Sequence, residues 1–188
     1  MAEVAKSQPV KVREYNRFKI TPIAGALGAE IHGIDVNNLD DETFDDIHSA
    51  WLQYQVLAIR DQDVTPDQQK EFGRRFGDLQ PHAFNAPIDG HPEITEIFKD
   101  KHETANNGGR WHTDQHYRTE PAKMTMLFAH EMPPHGGDTC FANTYLGYES
   151  LSDGMKEMLG GLKGVNNGDS KKHPSGLTRM QRQNAGIS

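Results

Sequence analysis

Apolar positions recur along this chain at two spacings, and each spacing predicts a different kind of element. Phe18 to Ile23 and Glu30 to Val36 are short runs rich in apolar and β-favouring residues on either side of Gly25-Ala26-Leu27-Gly28, which predicts two strands and a turn. Phe44, Ile47, Trp51 and Leu52 then recur at i, i+3, i+7 and i+8 behind Asp40, Asp41 and Glu42. One apolar stripe behind an acidic start predicts a helix whose N-terminal dipole is matched by carboxylates. Val56 to Arg60 reads as a buried strand. At Thr65-Pro66-Asp67-Gln68 a capping threonine, a proline at the first helical position and a glutamine at the third form a capping box, and Gly77 marks the stop. Trp51, Phe72 and Phe76 are expected in the core.

From Pro81 to Arg110 the pattern dissolves into Pro, Gly, Asn and His, with one short strand expected at Glu93 to Phe98, and a loop of this length is more often a binding surface than filler. Lys123 to His130 alternates, with Met124, Met126 and Phe128 on one side, and predicts a strand. Thr139 to Asn143 is expected as its return across the turn Pro133-Pro134-His135-Gly136-Gly137-Asp138. Ser152 to Leu159 predicts a short capped helix before Gly160-Gly161.

Composition narrows the function classes. Hydrophobic residues are 35% of the 188, and the 18 glycines bring the apolar share to about 45%, enough for one domain with a lean core. The net charge of −7 offers no basic face, so neither a nucleic-acid partner nor an acidic membrane is expected. No run approaches the ~20 apolar residues of a membrane span, and no secretory leader is legible. With the single Cys140 unable to form an internal disulfide, a cytoplasmic setting is expected. Charge is uneven: residues 1–159 hold 15 Lys and Arg against 26 Asp and Glu, whereas 160–188 hold 5 against 1. The tail, with four large aliphatics, reads as a mobile basic loop. No closing element follows it before Ser188, which reads as a chain stopping in mid-loop. The expected organisation is a flexible arm over residues 1–17, a folded domain over 18–159 and a mobile lid-like loop over 160–188.

With 10 His and 27 acidic residues, chance alone supplies one or two His-x-acid triplets. Two occur, His91-Pro92-Glu93 and His112-Thr113-Asp114, so only context separates them. His91 precedes proline in an expected turn and reads as a surface residue. His112 and Asp114 sit in Trp111-His112-Thr113-Asp114-Gln115-His116-Tyr117, whose composition suits a strand after the Asn106-Asn107-Gly108-Gly109 turn. Residues i and i+2 of a strand share a face about 6.6 Å apart at Cα, so an imidazole nitrogen and a carboxylate oxygen can converge on one ion at ~2.0–2.2 Å from each. A second His would complete a 2-His-1-carboxylate triad suited to Fe(II). His116 shares the face but lies about 13 Å along the strand, too far to join. His130, His135 and His82 are open as third ligands, with nothing local to aim them.

At these residues the chain resembles the taurine/phenoxyacetate dioxygenase family of Fe(II)- and 2-oxoglutarate-dependent oxygenases. The resemblance is carried by Ile20-Thr21-Pro22, Gly28-Ala29-Glu30-Ile31 with Gly33 and Asp35, Arg60-Asp61-Gln62, Thr65-Pro66 with Gln68-Gln69, Arg75-Phe76-Gly77, Trp111-His112-Thr113-Asp114, Gly136-Gly137-Asp138-Thr139, Tyr148-Glu149 and Leu151-Ser152. It covers roughly residues 18 to 162, and the order and spacing of the pieces are specific together. It implies a mainly β, α+β fold: a double-stranded β-helix (jelly roll) flanked by helices, incomplete at its C-terminal side. It implies His112 and Asp114 as iron ligands, Thr139 as a hydroxyl on the 2-oxoglutarate carboxylate and His82 as a substrate contact. The implied reaction hydroxylates a small organic anion with O2, releasing succinate and carbon dioxide.

Two departures stand out. The family's distal His ligand and the arginine that clamps 2-oxoglutarate belong to a C-terminal segment outside this sequence, and Arg179 and Arg182 fall too early to replace that arginine. Gly108 stands where taurine-using members have asparagine, with Asn106 and Asn107 beside it. The expected substrate is therefore a sulfonate, sulfate ester or carboxylate other than taurine. A competing reading is a truncated, non-catalytic relative acting as a binding protein through an open barrel edge. A third, a metal-dependent hydrolase, lacks the extra His, Cys or carboxylate ligands such sites recruit. Cys140, with no base beside it, reads as a small buried hydrophobe. Self-association is left open.

Overall fold

A computed structural model describes residues 14–82, 85–100, 102 and 111–166. The expected N-terminal arm up to residue 13, Asn106 to Arg110, and the tail with Arg179 and Arg182 lie outside the described residues. The chain divides into two compact units, Met1–Val64 with Glu131–Leu162, and Thr65–His130 with Lys163–Ser188.

The first unit is built on a three-stranded sheet of β1 (Lys19–Pro22), β2 (Ala29–His32) and β3 (Leu57–Ile59) in the order β1-β2-β3. β1 and β2 are antiparallel, with Ile20 opposite Ile31. β2 and β3 are parallel, with Ile31 opposite Ile59, and helix α1 (Asp41–Tyr54) makes the crossover that parallel strands require. Asp40 caps α1 by accepting from the Thr43 N–H at 2.7 Å. Gly28 holds φ +91°, a left-handed conformation in which a side chain is strained, and its N–H donates to Tyr54 O at 2.8 Å. That bond joins the sheet to the end of α1.

The core is formed by Ala29 and Ile31 of the sheet with Phe44, Ile47, Ala50 and Tyr54 of α1, among which Ile31 and Ile47 are the largest fully buried side chains. Leu52, expected on the buried stripe, is 64% exposed, and Trp51 is half-buried. Phe44, Ile47, Ala50 and Tyr54 recur every three or four residues, and 3.6 residues per turn carries Leu52 off that face. Asp46 is buried, and Arg17 reaches it at 3.8 Å while also pairing with Glu42.

Several motif residues turn out to be scaffold. Glu30 pairs with Arg60 across β2 and β3, and that hydrogen bond holds the Glu30 carboxyl below its ordinary value. Gln62 is a strut: its Oε1 accepts from Val36 N–H at 2.9 Å, and its Nε2 donates to Ile34 O at 2.9 Å and Arg60 O at 2.6 Å.

In the second unit α2 (Pro66–Arg74) begins on the expected capping box, with both reciprocal bonds between Thr65 and Gln68 formed. Phe72 and Phe76 are buried and meet edge to face at 5.4 Å. β4 (Pro87–Ile88) and β5 (His91–Thr95) form an antiparallel pair, and β5 contacts α2. The strand expected at Glu93 to Phe98 thus starts earlier and ends earlier. His91 opens it half-buried, with Nδ1 3.6 Å from Asp67 Oδ1, instead of lying on a surface turn.

The strands expected at Lys123 to His130 and Thr139 to Asn143 form no ladder among the described residues. The first keeps its alternation: Met124, Met126 and Phe128 are half-buried between exposed neighbours. A strand requires a partner for its N–H and C=O groups, and here periodicity is present without one. Asn143 instead caps a helix, α3 (Thr144–Glu149), whose Tyr145, Leu146 and Tyr148 are all exposed. α4 (Asp153–Gly160) starts at the expected cap, Ser152. Cys140 is exposed, contrary to the buried position expected of it, and no described strand covers residues 139–143. Helix outweighs strand among the described residues, and the strands there form two small sheets. No described helix is long and apolar enough to cross a membrane.

Candidate metal centre

His112 and Asp114 are brought together. His112 Nε2 lies 3.1 Å from Asp114 Oδ1, with the two side chains 56% and 51% exposed. The backbone that does this is not the expected strand. Trp111 to Thr113 is irregular without a ladder, and the chain then turns over Asp114 to Tyr117 with Gln115 at φ +51°. His116 Nδ1 lies 2.9 Å from Thr113 O, and Arg118 N–H donates to Gln115 O at 2.9 Å, which closes the turn. Convergence is therefore produced locally, within a few residues.

The spacing fits a shared ion. Two donors each about 2.1 Å from one centre, on adjacent octahedral positions, lie about 3 Å apart. The observed 3.1 Å matches that separation and is equally the length of a direct imidazole–carboxylate contact; an imidazole nitrogen with a carboxylate oxygen is a mixed donor pair that a first-row divalent metal accepts. Among the described residues no group of three or more His, Cys, Asp or Glu side chains is placed to hold a metal. The pair thus supplies two donors where a 2-His-1-carboxylate site needs three.

Asp114 is held from its other side. Thr125 donates its hydroxyl to Asp114 Oδ2 at 2.8 Å, a contact the sequence reading did not pick out. Its signal was faint but present: period-2 alternation places Thr125 with Lys123 on the face opposite Met124 and Met126. Lys123 in turn donates from Nζ to Phe76 O at 3.1 Å, which ties this segment to the end of the α2 region.

His116 is engaged elsewhere, its Nε2 2.7 Å from Asn166 Oδ1. His130 packs edge to face on Phe128 at 4.7 Å, and His135 is exposed in its turn. His82 accepts at Nδ1 from Asn85 N–H at 3.0 Å. Thr139 is exposed just beyond Gly136 and Gly137, whose φ values of +77° and +75° are left-handed and bend the chain ahead of it.

The sequence profile of "Taurine catabolism dioxygenase TauD, TfdA family" matches residues 19–187. The (S)-phenoxypropionate/alpha-ketoglutarate-dioxygenase of Sphingobium herbicidovorans is 32% identical over 142 residues, covering 74% of this chain and 50% of the relative. The alpha-ketoglutarate-dependent sulfonate dioxygenase of Saccharomyces cerevisiae is 32% identical over 157 residues, covering 78% and 38%. Among solved structures, a taurine dioxygenase from Burkholderia xenovorans superimposes with a TM-score of 0.66 at 28% identity, covering 88% of this chain and 63% of that one. The chain spans half or less of the length of these two curated relatives.

Proposed function

The chain belongs to the taurine catabolism dioxygenase TauD, TfdA family, and from that membership we propose that it carries part of an Fe(II)- and 2-oxoglutarate-dependent dioxygenase. Its substrate is a small organic anion, a sulfonate, sulfate ester or carboxylate, hydroxylated with release of succinate and carbon dioxide. The observation that carries the reading is the 3.1 Å approach of His112 Nε2 to Asp114 Oδ1 on an exposed turn. The names of the two relatives, a phenoxypropionate and a sulfonate dioxygenase, support an anionic substrate. No observation favours the non-catalytic alternative.

In this reading His112 and Asp114 hold the iron. Bound there, Fe(II) supplies the redox chemistry that couples oxygen and 2-oxoglutarate consumption to substrate hydroxylation. Asp114 offsets part of the metal's charge, and His112 contributes a neutral donor, so the remaining positions are left to other ligands and co-substrate. The Thr139 hydroxyl donates to a carboxylate oxygen of 2-oxoglutarate. His82 contacts the substrate: with Nδ1 accepting from Asn85, a neutral ring carries its proton on Nε2, the form that donates to an anion. The complete enzyme closes a jelly roll around this site, residues 18–159 contribute its N-terminal portion, and 160–188 form a lid-like basic loop.

The test is spectroscopic. Anaerobic Fe(II) with 2-oxoglutarate gives the weak visible charge-transfer band of the chelate, and His112→Ala abolishes it. A band that persists in His112→Ala overturns the ligand assignment. Succinate formation with an alkyl sulfonate, an alkyl sulfate and an aryloxyalkanoate, each assayed alone, then identifies the substrate class.

A further inference from the structure

We propose that Thr125 is a positioning residue of the metal pair: its hydroxyl holds Asp114 Oδ2, so that Oδ1 is the single oxygen presented beside His112 Nε2. The inference rests on the reading of His112 and Asp114 as metal ligands and adds to it the residue that decides how the carboxylate binds.

The geometry is specific. A carboxylate next to a cation can bind through one oxygen or through both, and rotation about its last bond exchanges them. Here the two oxygens have different occupants: Oδ1 faces His112 Nε2 at 3.1 Å and Oδ2 accepts from Thr125 Oγ1 at 2.8 Å. A hydroxyl on an ionised carboxylate is a charge-assisted bond, and it opposes the rotation that would bring Oδ2 to the ion. Threonine suits the task because β-branching restricts χ1 and limits where its hydroxyl can go. The support is itself anchored, since Lys123, two residues earlier, donates to Phe76 O. Thr125 stands eleven residues beyond Asp114 and is exposed, so the bond is not a by-product of burial. Partners of this kind orient the ligand and set its basicity, and losing one typically costs about 10- to 100-fold in metal affinity.

The test compares Thr125→Val, which keeps the shape and removes the hydroxyl, with Thr125→Ser, which restores it. Mn(II) binding to the full 188-residue chain is followed by loss of the free-ion electron paramagnetic resonance signal, and Asp114→Ala and His112→Ala serve as ligand controls. Thr125→Val is expected to weaken Mn(II) about 10- to 100-fold, whereas Thr125→Ser stays within about threefold of the parent chain. Infrared difference spectra with carboxyl-labelled aspartate supply a readout that a purely structural role leaves alone. The parent and Ser chains should show the wide carboxylate splitting of one-oxygen binding, and Val the narrower splitting of two-oxygen binding. Parent-like affinity and splitting in Thr125→Val overturn the proposal while leaving the ligand reading in place. Equal weakening in Val and Ser also overturns it, as the hydroxyl is then not the cause. If the two ligand controls bind Mn(II) as the parent does, the ligand reading fails and the proposal with it.

Discussion

Residues 19–64 and 111–130 solve opposite problems. In the first stretch, β1, β2, α1 and β3 complete a small core within the segment itself: Ala29, Ile31, Ile47 and Ala50 are at most 1% exposed. In the second, Trp111 and Leu127 are 73% and 61% exposed, and the side chains with chemistry to perform stand on a turn and an extended run without a ladder. Stability in the first comes from apolar burial; order in the second comes from polar contacts, His112 with Asp114, Thr125 with Asp114 and Lys123 with Phe76. The lesson is that an imidazole and a carboxylate can be brought together without a finished core beneath them. A tight turn suffices to set their spacing.

This contrast can be broken by substitution. The largest effect is expected at the pair itself: Asp114→Ala should reduce Mn(II) affinity by more than the roughly 100-fold upper end seen for outer-sphere partners. The melting temperature should barely move, since exposed positions change stability by about 0.5 kcal/mol or less. Next comes Ile47→Ala, which empties a fully buried site and should cost about 2–5 kcal/mol in denaturant unfolding, with Mn(II) affinity unchanged under native conditions. If each substitution moved the other's readout, the two stretches would not be independent. Thr65→Ala removes one half of the capping box on α2 and is expected to cost about 1 kcal/mol, measured the same way.

The smallest effect is electrostatic. Arg60 holds the folded-state pKa of Glu30 below the ordinary 4.5, so between that lowered value and 4.5 the unfolded chain binds more protons than the folded one. The contribution is present above pH 4.5 and is lost as pH falls through the lowered value. Glu30→Gln should lower stability slightly at neutral pH, and the difference from the parent should fade as pH falls through that window; the effect is small because Arg60 is exposed.

Legibility followed the range of the interaction that makes each element. Thr65-Pro66-Asp67-Gln68 encodes a helix start through contacts three residues apart, and the structure reproduces both bonds. The α1 stripe was legible as a helix but misassigned at Leu52, because the buried face is chosen by the sheet beneath it. Lys123 to His130 shows the limit from the other side: its alternation survives as alternating burial, yet no ladder forms among the described residues. α3 was missed because Asn143 reads in the sequence as the end of a strand, and the six residues after it, with Tyr145, Leu146 and Tyr148 all exposed, are too short to show a helical period.

At the candidate site the His-x-acid spacing occurs twice, and the surrounding run Trp111 to Tyr117 with the family resemblance set His112 and Asp114 apart from His91 and Glu93. The family resemblance over residues 18 to 162 needed only order and spacing, and the profile match over 19–187 agrees with it. Tertiary structure decided what depends on residues far apart in sequence. An irregular stretch carries His112 and the start of a turn carries Asp114, with no strand at either. Thr125, eleven residues away, takes the second carboxylate oxygen. Glu30 and Arg60, thirty residues apart, serve as a brace across the sheet. Short-range chemistry is written in neighbouring letters, whereas a contact between distant residues exists only once the chain has closed the loop between them, and its partner cannot be read from either residue alone.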